Sequence, residues 1–216
     1  MMKMDTKMLT TMSMLCGLAM ILNILFHFPL VPAVSFLSYD PKDIVIVIGG
    51  FIYGPMACVG MSGICAVLDI MFRGGNLIDV MMNMLATCSF CCVAAWIYKR
   101  NHTKRGAILG LGIGILVVTL VMVLWNYIVT PIYYQMPREV VSSLLLPGIV
   151  PFNLIKFGIN AGVALLIYKP IVKALRSSNL VSAGQSSQEL TRDMAIVGAI
   201  VVISLVMLVL SMQGII

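Results

Sequence analysis

Residues 149–168 read IVPFNLIKFGINAGVALLIY, an apolar stretch of about the length that crosses a membrane as one helix. Asn153 and Lys156 interrupt this stretch three residues apart, so on a helix they lie on the same face, one turn from each other. A lysine near the middle of a membrane costs about 2.5–3.5 kcal/mol on insertion scales. The stretch therefore predicts a membrane helix whose polar pair needs a partner that offsets this cost.

The rest of the chain has the same apolar character. Of its 216 residues, 61% are hydrophobic and 10% are charged, whereas soluble domains have about 45–50% and about 25%. These values predict an all-α polytopic membrane protein without a soluble catalytic domain. The net charge of +6 forms no basic face, so we expect no nucleic-acid partner. The six cysteines lie in apolar segments, which favours core packing over a metal site.

Seven apolar segments are predicted to be helical. Their bounds are 8–28, a short or broken helix over 44–55, 56–72, 77–98, 106–129, 149–168 and 194–213. The first six form a predicted six-helix membrane domain over 1–176. A Ser-rich flexible linker over 177–193 connects it to the seventh segment, which is predicted to be an additional C-terminal transmembrane helix.

The distribution of Lys and Arg predicts the orientation. With a cytoplasmic N-terminus and six spans, nine basic residues face inward and three outward: Lys3, Lys7, Lys99, Arg100, Lys104, Arg105, Lys169, Lys173 and Arg176 against Lys42, Arg73 and Arg138. This asymmetry indicates a multi-pass protein of the cell membrane with its N-terminus in the cytoplasm. It also places a set of polar residues in the outer half of the bilayer: Asp40, Asp43, Asp79, Asn83, Asn126, Asn153 and Lys156.

These polar residues admit a structural and a functional interpretation. Lys156 could pair with a carboxylate, Asp69 or Asp79, and so hold the helices together. Alternatively, Asn153 and Lys156 could face a water-accessible cavity and bind a ligand that offers carbonyl groups. Asn126 could likewise bond to a neighbouring helix or contact that ligand. The residues alone leave both interpretations open.

Motifs for energy conversion and catalysis are absent from the sequence. It has no G-x-x-x-x-G-K-[ST] motif for ATP and neither H-E-x-x-H nor G-x-S-x-G. We therefore do not expect an enzyme, although an intramembrane enzyme and a membrane scaffold remain as alternatives from other functional classes.

Three stretches resemble a known family of membrane proteins. They are SYDPKDIVIVIGGFIYGP over 38–55, WNYIVTPIYYQMP over 125–137 and LPGIVPFNLIKFGINAGVALLIYKP over 146–170. Together they are similar to the riboflavin-specific substrate-binding S component of energy-coupling factor (ECF) transporters, and the resemblance covers roughly 8–175. It implies capture of riboflavin from outside, with uptake driven by a separate transmembrane coupling protein and two cytoplasmic ATP-binding subunits. No cofactor is implied, and FMN is a possible second ligand.

The resemblance also implies roles for individual residues. Asn126, Asn153 and Lys156 match positions that hydrogen-bond the flavin ring. Asp40, with its neighbour Tyr39, matches the outer lid region. The remaining implied substrate contacts are Asp79 and Asn83, which match a stretch facing the ribityl chain, and Tyr127 beside Asn126.

Two further points follow from the same family pattern. The first helix of the family meets the coupling protein through A-x-x-x-A, and Ser13-x-x-x-Gly17 is the nearest match here, also small at both ends. Asp79 stands where Glu is expected and Asp69 where Lys is expected, and Asp69 has no assigned role. An S component for another vitamin, such as pantothenate or a pyridoxine-like compound, is the main alternative.

Overall fold

The computed structural model describes residues 5–180 and 192–213, and nearly all of these are helical. The eight helices, in chain order, are α1 (Thr6–Leu25), α2 (Lys42–Tyr53), α3 (Pro55–Arg73), α4 (Leu77–Arg100), α5 (Lys104–Tyr133), α6 (Arg138–Leu144), α7 (Val150–Ser177) and α8 (Arg192–Met212). A 3₁₀ turn, Pro32–Val34, lies in the loop before α2, and a π-helical turn, Leu145–Ile149, joins α6 to α7.

Within the described residues, five helical stretches are long and apolar enough to cross a membrane: α1, α3, α4, α5 and the continuous run Arg138–Tyr168 through α6 and α7. Many of their large apolar side chains are exposed, as expected for surfaces that face lipid rather than water. The observed architecture confirms the predicted all-α polytopic class.

The short second helix predicted from the sequence is confirmed, and it occupies the centre of the bundle. In α2 every residue from Lys42 to Ile52 is buried, and the helix packs against α1, α3, α4 and α7. It ends at Gly54, whose φ of +91° favours glycine, and Pro55 then begins α3. Because α2 is only 12 residues long, it does not cross the membrane by itself, and its N-terminus lies inside the protein.

Several predicted helix ends differ from the observed ones. The fifth helix was predicted to end at 129, but α5 continues through Pro131 to Tyr133, since membrane helices tolerate an internal proline. Between the fifth and sixth predicted segments the structure adds a further short helix, α6. The predicted linker over 177–193 falls mainly on 181–191, which lie outside the described residues.

Packing places the loop over 26–41 against the first half of α7. Leu30, Val31, Val34 and Leu37 join Ile149, Phe152, Ile155 and Ile159 in a buried apolar cluster separate from the main core. Gly148 allows the 3₁₀ turn to approach α7, because a Cβ there would lie 2.5 Å from the side chain of Val34. This loop and α7 together form one wall of the cavity described next.

Candidate functional site

An open cavity of about 230 Å³ lies at the end of the bundle where α1 and α3 end and α4 and α7 begin. It contains six of the eight predicted substrate contacts. These are Asp40, Asp79, Asn83, Asn126, Asn153 and Lys156. The structure therefore brings together residues from the loop before α2 and from α4, α5 and α7, as expected if they share one side of the membrane.

Lys156 reaches the cavity from the first turns of α7. It is 7% exposed, and its Nζ contacts Oδ1 of Asp40. The second oxygen of the same carboxylate accepts a hydrogen bond from Nζ of Lys42, which is almost fully buried at the start of α2. One carboxylate thus serves two ammonium groups, and this Lys42–Asp40–Lys156 arrangement, termed here the ionic triad, carries a net charge of +1.

The carboxylate of Asp40 stays ionised in this setting. Burial by itself would raise the pKa of Asp40, but the ammonium groups of Lys156 and Lys42 lower it to about 2. The ring of Phe157 also lies 5.0 Å from Nζ of Lys156 and adds a cation–π contact. The triad therefore offsets the cost of placing lysine in the membrane domain.

The interpretation that paired Lys156 with Asp69 or Asp79 is corrected by this geometry, because the carboxylate that contacts Lys156 belongs to Asp40. Asp69 instead contacts Arg73, one turn further along α3. It also accepts hydrogen bonds from Asn23 at 2.9 Å and from Asn83 at 3.1 Å.

The two asparagines use only part of their hydrogen-bonding capacity within their own helices. Asn126 donates to the carbonyl of Met122 at 2.8 Å and accepts from Thr130 at 2.9 Å. Asn153 donates to the carbonyl of Ile149, in the π-helical turn, at 2.8 Å. A side-chain amide has two N–H donors and an oxygen with two acceptor sites, so each asparagine can also bond to a ligand in the cavity.

Asp79 and Asn83 line the opposite wall from α4. Asp79 closes a capping box with Asn76 at the start of α4 and accepts a hydrogen bond from the hydroxyl of Tyr133 at 2.8 Å. This bond joins the start of α4 to the end of α5. The carboxylate therefore has both a structural role and access to the cavity.

Two predicted contacts, Tyr39 and Tyr127, do not line the cavity. The side chain of Tyr39 turns towards α7, where its hydroxyl donates a hydrogen bond to Asn160 at 2.8 Å. Tyr127 is 41% exposed and its ring lies beneath the guanidinium group of Arg138. Tyr127 thus lies on the outer surface of α5, as an interfacial aromatic residue would.

Ser13 and Gly17 both lie on the exposed surface of α1. Ser13 donates to the carbonyl of Leu9 at 3.0 Å. A Cβ at Gly17 would meet nothing within 4 Å. The two residues therefore leave a shallow, small-residue surface on this helix that another helix can approach closely.

Other cavity residues were missed by the sequence analysis. They are His27, Phe36, Leu37, Ser38, Asp69, Arg73, Gly74, Met82, Ala86, Met122 and Phe152. Helical spacing could have identified some of these, since Met82 and Ala86 share a face with Asp79, and Met122 precedes Asn126 by one turn. The loop residues 36–38 have no periodic signal that marks them.

Arg73 and His27 meet at the mouth of the cavity. Nη1 of Arg73 lies 2.7 Å from Nδ1 of His27, and Nη2 donates to the carbonyl of Asn23. Burial lowers the pKa of His27, and the guanidinium group of Arg73 lowers it further. At neutral pH the imidazole is therefore uncharged and accepts the hydrogen bond from Arg73.

Comparison with known proteins gives concordant results. The family model described as "ECF transporter, substrate-specific component" matches residues 7–168. Riboflavin transporter RibU of Staphylococcus aureus (strain TCH60) is 30% identical over 179 residues, which are 80% of this chain and 94% of that protein. Riboflavin transporter FmnP of Bacillus subtilis (strain 168) is 29% identical over 191 residues, 82% of this chain and all of that protein.

The fold is similar to that of a solved membrane protein. A structure described as "Structure and mechanism of the S component of a bacterial ECF transporter" superposes with a TM-score of 0.69 and 31% sequence identity. The match covers 80% of this chain and 99% of that one. The family model over residues 7–168, the relatives and the solved structure therefore agree on the same family.

Proposed function

This chain belongs to the family of substrate-specific components of ECF transporters, and we propose that its substrate is riboflavin, captured from outside the cell. Its relatives in two organisms bear the name riboflavin transporter. The family consists of transporter components rather than enzymes. The proposal gives the cavity a ligand class that can be tested directly.

The convergence of Lys156, Asn153 and Asn126 on one cavity is the observation that carries this proposal. The flavin ring is planar and has two carbonyl oxygens and an N–H group along one edge. An ammonium group donates to such carbonyls, and an asparagine amide both donates and accepts. Phe36, which also lines the cavity, supplies apolar surface suited to a planar ring.

The α4 wall of the cavity suits the ribityl half of riboflavin. The ribityl chain carries several hydroxyl groups, each of which can donate to a carboxylate or accept from an amide. Asp79 and Asn83 present such groups to the cavity. We therefore assign the ring to the α5 and α7 side of the cavity and the polyol to the α4 side.

Uptake on this proposal requires partners that supply energy, since the sequence contains no nucleotide-binding P-loop. These partners are a transmembrane coupling protein and two cytoplasmic ATP-binding subunits. The exposed Ser13 and Gly17 on α1 support a helix–helix contact with the coupling protein. The excess of basic residues at the end of the bundle opposite the cavity supports a cytoplasmic N-terminus, with the cavity facing outward.

A riboflavin titration of the purified protein tests the proposal. Flavin fluorescence should be quenched at micromolar riboflavin, and Lys156→Met should weaken binding by at least tenfold, because a charged hydrogen bond contributes about 1.5–3 kcal/mol. Lys173→Met is the matched control, since Lys173 lies on the same helix but is exposed and remote from the cavity.

Two results would overturn the assignment. The first is no quenching by riboflavin together with binding of another vitamin from a panel that includes pantothenate and pyridoxine. The second is riboflavin binding of equal strength in the wild type and in Lys156→Met.

A further inference from the structure

Helix α8 lies beyond the segment that the family model matches, which ends at residue 168. Yet it packs closely on α7 rather than standing apart. Gly198 of α8 faces Gly162 of α7 so closely that a Cβ on Gly198 would lie 2.7 Å from the carbonyl oxygen of Gly162. Contacts of this kind between small residues are typical of stable helix pairs in membranes.

Further along, α8 approaches the cavity end of the bundle. A Cβ at Gly158, one turn before Gly162, would lie 2.7 Å from the side chain of Leu205. Val209 is 6% exposed and belongs to the buried apolar cluster that contains Leu37 and Phe152, both of which line the cavity. Because rising residue numbers on α8 meet falling numbers on α7, the two helices are antiparallel.

Gln213, which directly follows α8, reaches the loop over 26–41 itself. Nε2 of Gln213 donates to the carbonyl oxygen of Pro29 at 3.1 Å. The same loop supplies Asp40 of the ionic triad to the cavity. Polar contacts also join this loop to α7: the hydroxyl of Tyr39 donates to Asn160, Asn160 donates to the carbonyl of Asp40, and Lys156 contacts the Asp40 carboxylate.

We propose that α8 is a brace that holds the substrate-binding loop 26–41 against α7 and thereby slows the release of substrate. The brace acts through two contacts with the loop. One is the hydrogen bond between Gln213 and Pro29, and the other is the burial of Val209 beneath the loop. Release of substrate is a consequence that rests on the proposed function, whereas the bracing of the loop does not.

Three variants separate the brace from a simple membrane anchor. Gly198→Leu forces α8 away from α7, since the new side chain meets backbone rather than a flexible side chain. Gln213→Ala removes the hydrogen bond to the loop and leaves the helix pair unchanged. Ile203→Ala is the matched control, because Ile203 is 63% exposed on the opposite face of α8.

The first readout is amide hydrogen exchange of the full-length protein without ligand. The amides of Val34, Leu37 and Tyr39 are hydrogen-bonded within the loop, to Val31, Val34 and Phe28. Gly198→Leu and Gln213→Ala should speed their exchange, while Ile203→Ala should leave it unchanged. Unchanged exchange in both test variants would overturn the brace.

The second readout is the rate of riboflavin release, followed by recovery of flavin fluorescence. We expect release about fivefold faster in Gln213→Ala, which is the change that loss of one hydrogen bond of average strength produces. If the wild type binds no riboflavin, the proposed function fails and the exchange rates still decide the brace. If riboflavin binds and all three variants release it at the wild-type rate, the proposed link between the brace and substrate release is refuted.

Discussion

The ionic triad predicts opposite consequences for the loss of its carboxylate and the loss of its cavity-facing lysine. Asp40→Asn leaves Lys42 and Lys156 buried near each other without the carboxylate that contacts both of them. Lys156→Met leaves the Lys42–Asp40 pair intact and neutral. We therefore expect Asp40→Asn to destabilise the protein strongly, and Lys156→Met to fold well but to bind riboflavin at least tenfold more weakly.

The expected magnitude follows from the contacts. Breaking a buried pair by removing one partner costs about 3–5 kcal/mol, because a buried charge is left uncompensated. In a chain of this size, about 1 kcal/mol shifts the melting temperature by about 2–4 °C. Asp40→Asn should therefore lower the melting temperature by roughly 10 °C. In Lys156→Met the Asp40 carboxylate stays paired with Lys42 and no buried charge is left uncompensated, so the melting temperature should shift by no more than about 3 °C.

The assay uses ligand-free protein in detergent, with unfolding followed by tryptophan fluorescence. A double variant, Asp40→Asn with Lys42→Met, is the informative control. It removes one of the two uncompensated charges and should recover part of the lost stability. The reasoning is refuted if Asp40→Asn melts at the wild-type temperature, or if Lys156→Met is the less stable of the two single variants.

Three further predictions concern coupling, selectivity and pH. Gly17→Phe should keep riboflavin binding, because a side chain at this position extends into open space on α1. It should abolish uptake in cells, because the large ring prevents the close approach of another helix to this face. Leu18→Phe should retain uptake. FMN should bind at least tenfold more weakly than riboflavin. Its phosphate carries about −1.5 to −2 charge, and carboxylates outnumber cations in the cavity lining. Asp79→Asn should reduce the difference in affinity between the two ligands. Affinity should fall a few-fold at acidic pH, below the ordinary pKa of histidine, because burial and Arg73 lower the pKa of His27 and protonated His27 can no longer accept the hydrogen bond from Arg73. His27→Gln should remove this dependence.

Each of these predictions has a clear contrary result. Uptake by Gly17→Phe at the wild-type rate would exclude this face of α1 as the coupling contact. Equal affinity for FMN and riboflavin would show that the carboxylates in the cavity lining do not select against phosphate. A pH profile that His27→Gln leaves unaltered would assign the titration to another group.

The sequence predicted the fold well where hydrophobicity alone decides it. The centres of all seven predicted segments lie in observed helices, and the short second helix was recognised because its apolar run is too brief for a span. Helix ends were predicted less well. At Pro131 the usual rule that proline ends a helix fails, since a membrane helix loses less by continuing than by exposing its backbone to lipid.

The site was predicted only as far as helical spacing extends. Asn153 and Lys156, or Asp79 and Asn83, share a face by period alone and meet in the cavity. The contact between Asp40 and Lys156 joins residues 116 positions apart (156 − 40) through a loop, and a loop has no period from which its side-chain directions follow. For this reason the sequence offered Asp69 and Asp79 as partners, both on helices, and not Asp40.

On the proposed function, the placement of Asp40 on a loop links substrate binding to loop position. A ligand carbonyl that accepts a hydrogen bond from Lys156 bonds to the same ammonium group that contacts Asp40. Lys42 keeps Asp40 ionised and held at the start of α2, so the carboxylate remains paired while Lys156 turns to the ligand. A lone Lys156–Asp40 pair would leave a buried carboxylate uncompensated at that moment, at a cost of several kcal/mol. The second lysine, Lys42, therefore allows Lys156 to pair with Asp40 in the empty site and to bind the ligand in the filled one.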